Sequence, residues 1–394
     1  MKLPVYLDNH STTSCDPRVL EAMLPWFHER PGNPASRHHR YGWEAEDAVT
    51  RAREAAAALI GARPVEILFT SGATESNNLA VQGTLRAAGG RKGHVVTCVT
   101  EHASLLDPCA WMEREGADVT RLPVDGRGRI DPEEVRRAIR KETVLISVMA
   151  ANNEIGVIAP LAEIGGVARE AGVLFHTDAA QAVGKIPIDV EEMKIDLLSL
   201  SAHKMYGPKG VGALFVRRRS PRVFLEAIVR GGGQERRMRS GTLNVPGIVG
   251  LGSACSFAGE GMSAEAERVA ALRDRLYRRI TGALDGVHRN GDPDHALPNN
   301  LSLTFDFVEA EALLMELGDV ALSPGSACSS GSFEPSHVLL ALGLGVEKAQ
   351  STIRFGLGRF NTEEEIDFAA DRVIRAVRRL RSYSPLYRPG DGGA

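Results

Sequence analysis

The feature that most constrains the fold is an alternation of strand-like and helix-like patterns from about Asp16 onward. Short apolar segments typical of strands occur at residues 66–70, 94–100, 143–150, 173–176 and 195–201. Helical periodicity covers residues 44–60, 75–88, 105–115, 131–140 and 161–171. Strands that are separated by helices form right-handed βαβ units around a mostly parallel sheet. The sequence therefore predicts an α/β fold.

The pattern changes near Cys255. A basic helix is predicted at residues 264–284, an alternating strand at 300–307, and a Gly/Ser loop followed by two further helices after it. This arrangement is typical of a smaller α+β domain. We expect a large domain over residues 15–255 and a small C-terminal domain over 256–394, with the N-terminal segment 1–14 packing on the small domain.

Composition excludes several classes of protein. The 394 residues are 43% hydrophobic and 25% charged, as in ordinary globular proteins. A net charge of −3 argues against a general nucleic-acid or anionic-membrane binder. No apolar run approaches the roughly 20 residues that span a bilayer. The first eight residues show no secretory pattern. We expect a cytoplasmic protein with no nucleic-acid or membrane partner.

The five cysteines do not form a framework. Cys15, Cys98, Cys109, Cys255 and Cys328 are scattered and include no Cys-x-x-Cys pair, which argues against disulfides and against a metal site. The default for each is a small buried hydrophobe, and Cys98 in its apolar segment fits it. Cys328 does not fit, because residues 322–335 are rich in Gly, Ser and Pro. An exposed thiol in such a loop indicates reactivity.

Three predicted strand ends carry polar groups. Residues 70–76 (TSGATES) leave a strand and open a helix, whose free N–H groups can bind an anion. Asp178 ends an apolar strand, where a carboxylate needs a cationic partner such as a pyridinium nitrogen. Lys204 ends another, and a desolvated lysine can form a Schiff base. A capping turn, a helix N-cap and a surface lysine are the respective alternatives, but together the three ends match what holds pyridoxal phosphate.

Two further residues suggest substrate chemistry. His102 follows a strand, where an imidazole could stack on a cofactor ring and move protons, or could be a structural histidine. Arg354 lies within an apolar strand, where a substrate carboxylate or a structural ion pair would satisfy it. The basic runs 217–219 and 236–239 could dock an acidic partner, but the first is interpreted as a solvated turn and the second as part of a dimer interface.

These motifs resemble those of cysteine desulfurases of the NifS/IscS type, which are class V aminotransferases with the fold-type I architecture of pyridoxal-phosphate enzymes. The similarity extends from residue 6 to about residue 386. It passes in the family's order through GNPAS (32–36), SGATES (71–76), NNEIG (152–156), SAHK (201–204), RSGT (239–242) and GSAC (325–328).

The resemblance implies a role for each matching residue. Lys204 would carry the Schiff base, Asp178 would pair with the pyridinium nitrogen, and His102 would stack on the ring and move protons. Arg354, with Asn153, would bind the substrate carboxylate. The phosphate would be held by Ala73, Thr74, Ser201 and His203, with Thr242 of a second subunit in a homodimer, and the ring side would be contacted by Gln181 and Asn153.

The resemblance also implies an activity. The Cys328 thiolate would attack the sulfur of L-cysteine, leaving a persulfide on Cys328 and releasing L-alanine. The persulfide would pass to an acceptor protein such as an iron–sulfur scaffold. A selenocysteine lyase or an aminotransferase on the same fold is the alternative enzyme, and a non-catalytic interaction protein is the alternative from another class.

Three features depart from the family pattern. His10 and Ser11 stand where Ala is more usual, and Pro324 stiffens the approach to the cysteine loop. The C-terminal tail, residues 389–394, does not include the longer extension with which housekeeping members engage the scaffold, so the acceptor is left open.

Overall fold

The computed structural model describes residues 1–89, 93–325, 334–385 and 387–388. Its largest element is a seven-stranded sheet with the order β2-β8-β7-β6-β5-β3-β4. Only β8 runs antiparallel to its neighbours, which confirms the mostly parallel sheet. Two of the strands, β4 and β8, are missing from the sequence prediction. The seven strands are β2 (Ile67–Thr70), β3 (His94–Cys98), β4 (Asp118–Leu122), β5 (Thr143–Ser147), β6 (Leu174–Asp178), β7 (Leu197–Ser201) and β8 (Gly212–Val216).

Helices cover both faces of this sheet. One apolar core joins the sheet to α3, α7 and α8, and another joins it to α4 and α5. The helices are α1 (Pro17–Met23), α2 (Pro25–His28), α3 (Arg40–Leu59), α4 (Ala73–Ala87), α5 (Ala103–Arg114), α6 (Pro132–Ala138), α7 (Leu161–Ala171), α8 (Val245–Thr281), α9 (Ala310–Glu316), α10 (His337–Ala341), α11 (Val346–Gln350) and α12 (Glu363–Tyr383). Within the described part of the chain, no helix is long and apolar enough to cross a membrane.

A separate apolar core lies around a smaller antiparallel sheet. Its order is β12-β13-β10-β9, and the strands are β9 (Val287–Arg289), β10 (Asn300–Phe305), β12 (Ser323–Pro324) and β13 (Thr352–Gly356). The N-terminal strand β1 (Val5–Tyr6) pairs with β11 (Val320–Ala321), and Val5 and Leu7 are buried in this separate core. The division between residues 255 and 256 stays a prediction, and the chain crosses it within the continuous helix α8.

Helix α8 is longer than the sequence predicts. It begins at Val245 rather than at residue 264, because a glycine-rich stretch forms its first turns. Packing explains this difference. A Cβ at Gly252 would lie 2.5 Å from the Ala52 backbone, and one at Gly250 would lie 2.6 Å from the Met23 sulfur. The glycines therefore permit close contact with α3 and α1, and that tertiary contact outweighs their poor helix propensity.

The interpretation of residues 217–219 as a solvated turn is wrong for Arg217. This side chain is 2% exposed and lies 3.0 Å from Asp196 and 2.8 Å from Glu191. It also donates to the backbone oxygens of Val190 and Ile195. The run of three arginines does not by itself reveal this burial, because the partners of Arg217 lie in the loop before β7.

Candidate active site

A cavity of about 560 Å³ lies at the carboxyl ends of the parallel strands. Open parallel sheets bind ligands at this edge, because the loops that leave the strands converge there. The segments that follow β2, β3, β5, β6 and β7 all contribute to its wall. Arg354 in β13 and the N-terminal residues 10–12 close the other side. The cavity therefore joins the large sheet to the smaller one.

The first turn of α4 faces this cavity. Gly72 precedes the helix with φ +154°, and none of the described side chains caps the helix N-terminus. The uncapped N–H groups and the helix dipole make this turn suited to an anion. Ser201 and His203 line the same region. Burial, with Lys204 and Lys209 nearby, lowers the pKa of His203 to about 4, so its imidazole is neutral.

Asp178 is fixed by hydrogen bonds at the end of β6. Asn77 donates to one carboxylate oxygen at 2.7 Å and the Ala180 backbone N–H donates to the other at 2.9 Å. The side chain is 7% exposed and lines the cavity. A buried carboxylate held in this way favours a cationic group opposite it.

Lys204 lies in a short 3-10 turn directly after β7. Its amine donates to the backbone oxygens of His10 and Ser11, the latter at 2.7 Å. Both acceptors are carbonyls, so the N-terminal segment provides a place for a protonated lysine at the cavity wall. Lys204 is therefore part of the cavity, and the alternative of a surface lysine is wrong.

His102 both caps a helix and lines the cavity. Its Nδ1 accepts from the Ser104 backbone N–H at 3.1 Å and lies 2.8 Å from the Ser104 hydroxyl. Burial lowers the pKa of His102, and the positive charge of Lys204 acts in the same direction, while Asp178 opposes it. A neutral imidazole at this position can accept a proton from a bound molecule.

Arg354 is almost completely buried in the middle of β13. It donates to Asp8 at 3.0 Å, to the Ser11 hydroxyl at 2.8 Å and to the Asn153 backbone oxygen at 2.9 Å. Its Nε has no hydrogen-bond partner among the described residues. The structural ion pair is thus present, and the Arg354 side chain also lines the cavity.

The predicted site residues converge with two exceptions. The cavity is lined by Ala73, Thr74, His102, Asn153, Asp178, Gln181, Ser201, His203, Lys204 and Arg354. Thr242 is exposed and does not line the cavity of its own chain. Cys328 lies in the segment 326–333, outside the described residues.

Sequence reasoning gave no function to His10, Ser11 and Thr12, which also line the cavity. The only signal was that His10 and Ser11 depart from the family pattern. Lys209 and Met149 were missed as well. Residues 10–12 are far in sequence from the strand ends that the motifs identify, whereas Met149 and Lys209 lie in the segments that follow β5 and β7.

Comparisons with known proteins agree with this geometry. The family model described as aminotransferase class-V matches residues 5–368. The chain is 57% identical over 387 residues to cysteine desulfurase IscS of Anaeromyxobacter dehalogenans (strain 2CP-C), covering 98% of this chain and 96% of that protein. It is 56% identical over 384 residues to the cysteine desulfurase of Homo sapiens, covering 98% and 84%.

Two solved structures resemble the fold. A NifS-like protein matches with a TM-score of 0.88 and 37% identity, covering 95% of this chain and 99% of that one. SspA in complex with cysteine matches with a TM-score of 0.81 and 39% identity, covering 91% and 100%.

Proposed function

Because the chain belongs to the aminotransferase class-V family and, within it, to the cysteine desulfurases, we propose that it takes sulfur from L-cysteine and releases L-alanine with pyridoxal phosphate as cofactor. One observation carries this proposal. A single cavity joins an anion-binding helix end, a buried carboxylate, a lysine and a buried arginine. The alternatives of a selenocysteine lyase or an aminotransferase gain no support from the comparisons.

The residues present fit the cofactor. The uncapped turn of α4, at Ala73 and Thr74, offers N–H groups to a phosphate, with Ser201 and His203 beside it. Asp178 offers a buried carboxylate to the ring nitrogen. When bound, pyridoxal phosphate supplies an aldehyde that condenses with amines and a protonated ring that withdraws electrons from the substrate's Cα.

Lys204 is the amine that would hold the aldehyde. The carbonyls of His10 and Ser11 can accept the protons of the lysine in its free ammonium form. His102, neutral because of burial, can accept or return a proton on the other side of the site. Asn153 and Gln181, which also line the cavity, would contact the ring.

Arg354 would bind the substrate carboxylate. The pairing of a guanidinium with a carboxylate is strong and directional, and the buried, positively charged side chain of Arg354 lies in the cavity wall. Asp8 and the Asn153 carbonyl hold the other guanidinium nitrogens, so the side chain is oriented before substrate arrives. Orientation in advance lowers the entropic cost of binding.

Cys328 is the proposed nucleophile. Its thiolate attacks the sulfur of L-cysteine, a bond forms between the two sulfurs, and the substrate's C–S bond breaks. The carbon fragment takes up protons and leaves as L-alanine, while the enzyme retains a persulfide. Only Ser326 and Ala327 separate Cys328 from Gly325, which follows β12 beside the strand of Arg354. This sequence proximity to the substrate side supports the assignment.

We further propose a cytoplasmic homodimer in which Thr242 reaches the phosphate of the partner subunit. The exposure of Thr242 in its own chain supports this role. The persulfide would then pass to an acceptor such as an iron–sulfur scaffold. This last step rests on resemblance to proteins named IscS.

The test uses L-cysteine labelled at sulfur. We expect equal amounts of alanine and enzyme-bound label in a single turnover, and mass spectrometry should locate the label on Cys328. The Cys328→Ser variant should retain the cofactor and lose persulfide formation, whereas the control Cys15→Ser should behave as the wild type. Release of no alanine from cysteine would reject the activity, and label on another cysteine would reject Cys328.

A further inference from the structure

Four buried side chains connect the two sheets through the wall of the active site. Lys185 donates to Gln181 Oε1 at 3.1 Å, and His10 Nδ1 lies 3.0 Å from the same oxygen. His10 Nε2 lies 3.2 Å from the amide nitrogen of Asn300 in β10. Each of the four is at most 8% exposed. We call this set, Lys185–Gln181–His10–Asn300, the amide relay.

The direction of the amide relay is fixed by backbone carbonyls. Gln181 Nε2 lies 2.9 Å from the His10 carbonyl oxygen, which can only accept. The amide of Gln181 therefore points its nitrogen toward this carbonyl and its oxygen toward Lys185 and His10. A flipped amide would place two acceptors against each other.

The same argument fixes the proton on His10. Because Gln181 Oε1 accepts, His10 Nδ1 must carry the hydrogen. Asn300 donates at 3.1 Å to the Glu154 carbonyl oxygen, so its nitrogen also faces His10 Nε2, which must accept. Burial lowers the pKa of His10 well below its usual value, which agrees with a neutral ring.

We propose that His10 and Lys185 are positioning residues that hold Gln181 with one N–H of its amide directed into the cavity, where it would donate to the ring oxygen of the cofactor. This inference rests on the proposed function, because the ligand of that N–H is the proposed cofactor. One hydrogen of Gln181 Nε2 is used by the His10 carbonyl, and the second remains. Two donors on Gln181 Oε1 prevent the amide from turning over.

The first experiment tests the tautomer without reference to activity. The ¹⁵N NMR spectra of the wild type and the His10→Asn variant are compared, both labelled with ¹⁵N-histidine. The signal that the variant lacks is that of His10. We expect a neutral ring with the proton on Nδ1 from pH 6 to 9. A proton on Nε2, or a ring that titrates in this interval, would overturn the amide relay.

The second experiment tests whether His10 and Lys185 act through Gln181. The variants His10→Phe and Lys185→Met each remove one donor, and the apoprotein is titrated with pyridoxal phosphate while its visible absorption is followed. We expect the double variant to bind the cofactor about tenfold more weakly and to shift the pH midpoint of the absorption band. When His10→Asn takes the place of His10→Phe, the cofactor affinity and the pH midpoint should both be restored, because the Asn amide can donate from the position of the His10 Nδ1.

Both substitutions are repeated in a Gln181→Leu background. We expect them to have no further effect there, because the residue through which they act is absent. Equal losses in the two backgrounds would show a general structural role and reject the inference. If the wild type binds no pyridoxal phosphate, the proposed function fails, and this outcome is distinct from a wild type that binds it without coupling to Gln181.

Discussion

The two sides of the cavity are built in different ways. One side, which we call the strand-end half, consists of residues at or shortly after the ends of parallel strands, such as Ala73, His102, Asp178 and Lys204. The other side, the assembled half, combines the lining residues 10–12, Asn153 and Arg354 with Asp8 and Glu154 behind them. In the strand-end half, each side chain is placed by the strand that it adjoins in the sequence. In the assembled half, the side chains are placed by contacts between segments more than 140 residues apart.

The difference separates two tasks. The strand-end half carries the groups proposed to hold the cofactor, and a rigid sheet edge suits a resident ligand. The assembled half carries the groups proposed to hold the substrate carboxylate. Its hub is Asp8, one of whose oxygens accepts from Arg354 at 3.0 Å, Ser11 at 2.9 Å and Ser323 at 2.8 Å. Substitutions in the strand-end half should therefore affect cofactor retention, and substitutions of Arg354 and its partners Asp8 and Ser11 should affect substrate affinity.

The largest effect is expected in the strand-end half. Lys204→Ala should abolish turnover and the absorption band of a covalently held cofactor, because no other amine takes its position. The measurement is the visible spectrum together with alanine release. Lys141→Ala, an exposed lysine outside the cavity, is the control and should change neither. A Lys204→Ala protein with an unchanged band would show that another group holds the aldehyde.

Arg354→Ala should give the largest effect in the assembled half. We expect the binding of L-cysteine to weaken by about 2–5 kcal/mol, the usual cost of truncating one partner of a buried charge pair. The dissociation constant is measured by absorption changes on adding substrate, and pyridoxal phosphate should remain bound. The Arg354→Lys variant keeps the positive charge but not the planar guanidinium with its paired donors. Its affinity for L-cysteine should lie between those of the wild type and Arg354→Ala. Unchanged affinity would place the carboxylate elsewhere.

Acid should destabilise the strand-end half through His176. This buried side chain lies 2.7 Å from Ser147 Oγ and 3.0 Å from Ser199 Oγ, and burial lowers its pKa to about 4. As the pH falls from 6.5 toward 4, the unfolded chain binds a proton that the folded chain does not. Up to about 3 kcal/mol of unfolding free energy is lost. Urea unfolding at several pH values should show a shallower slope for His176→Asn; an identical slope would contradict the assignment.

In the assembled half, the unfolding free energy contributed by Glu154 should change with pH in the direction opposite to that of His176. Glu154 accepts from the Ser336 hydroxyl, and burial raises its pKa to about 7. The folded chain retains its proton where the unfolded chain has lost it, so the stability present below pH 4.5 declines as the pH rises through 7, again by about 3 kcal/mol at most. Glu154→Gln should remove this decline in the same unfolding series. A decline that persists in the variant would assign it to another group.

The smallest effect is expected for Ser11→Ala. The Ser11 hydroxyl donates to Asp8 at 2.9 Å and accepts from Arg354 at 2.8 Å, and losing it should cost about 0.5–1.5 kcal/mol. We expect KM for L-cysteine to rise by at most about tenfold with kcat unchanged. Thr50→Ala, an exposed hydroxyl on α3, is the control. A fall in kcat without a change in KM would separate Ser11 from substrate binding.

The sequence alone determined the strand-end half. Apolar runs that end in Ser-Gly-Ala-Thr, Asp178 and Lys204 show where strands stop, and parallel strands that stop together place their next residues at one edge. The family resemblance added Asn153 and Gln181 and favoured a substrate carboxylate over a structural ion pair as the role of Arg354. Chain continuity is local, so it can be read from short segments.

Only the tertiary structure decided the rest. The burial of Arg217, the glycine contacts of α8, the Asp8 hub and the amide relay all join segments that are distant along the chain. A buried polar group is stable only when its partners are present, and those partners are chosen by packing between the two sheets. His10 and Ser11 could be seen as unusual in the sequence, but their contacts follow from where the N-terminal segment lies.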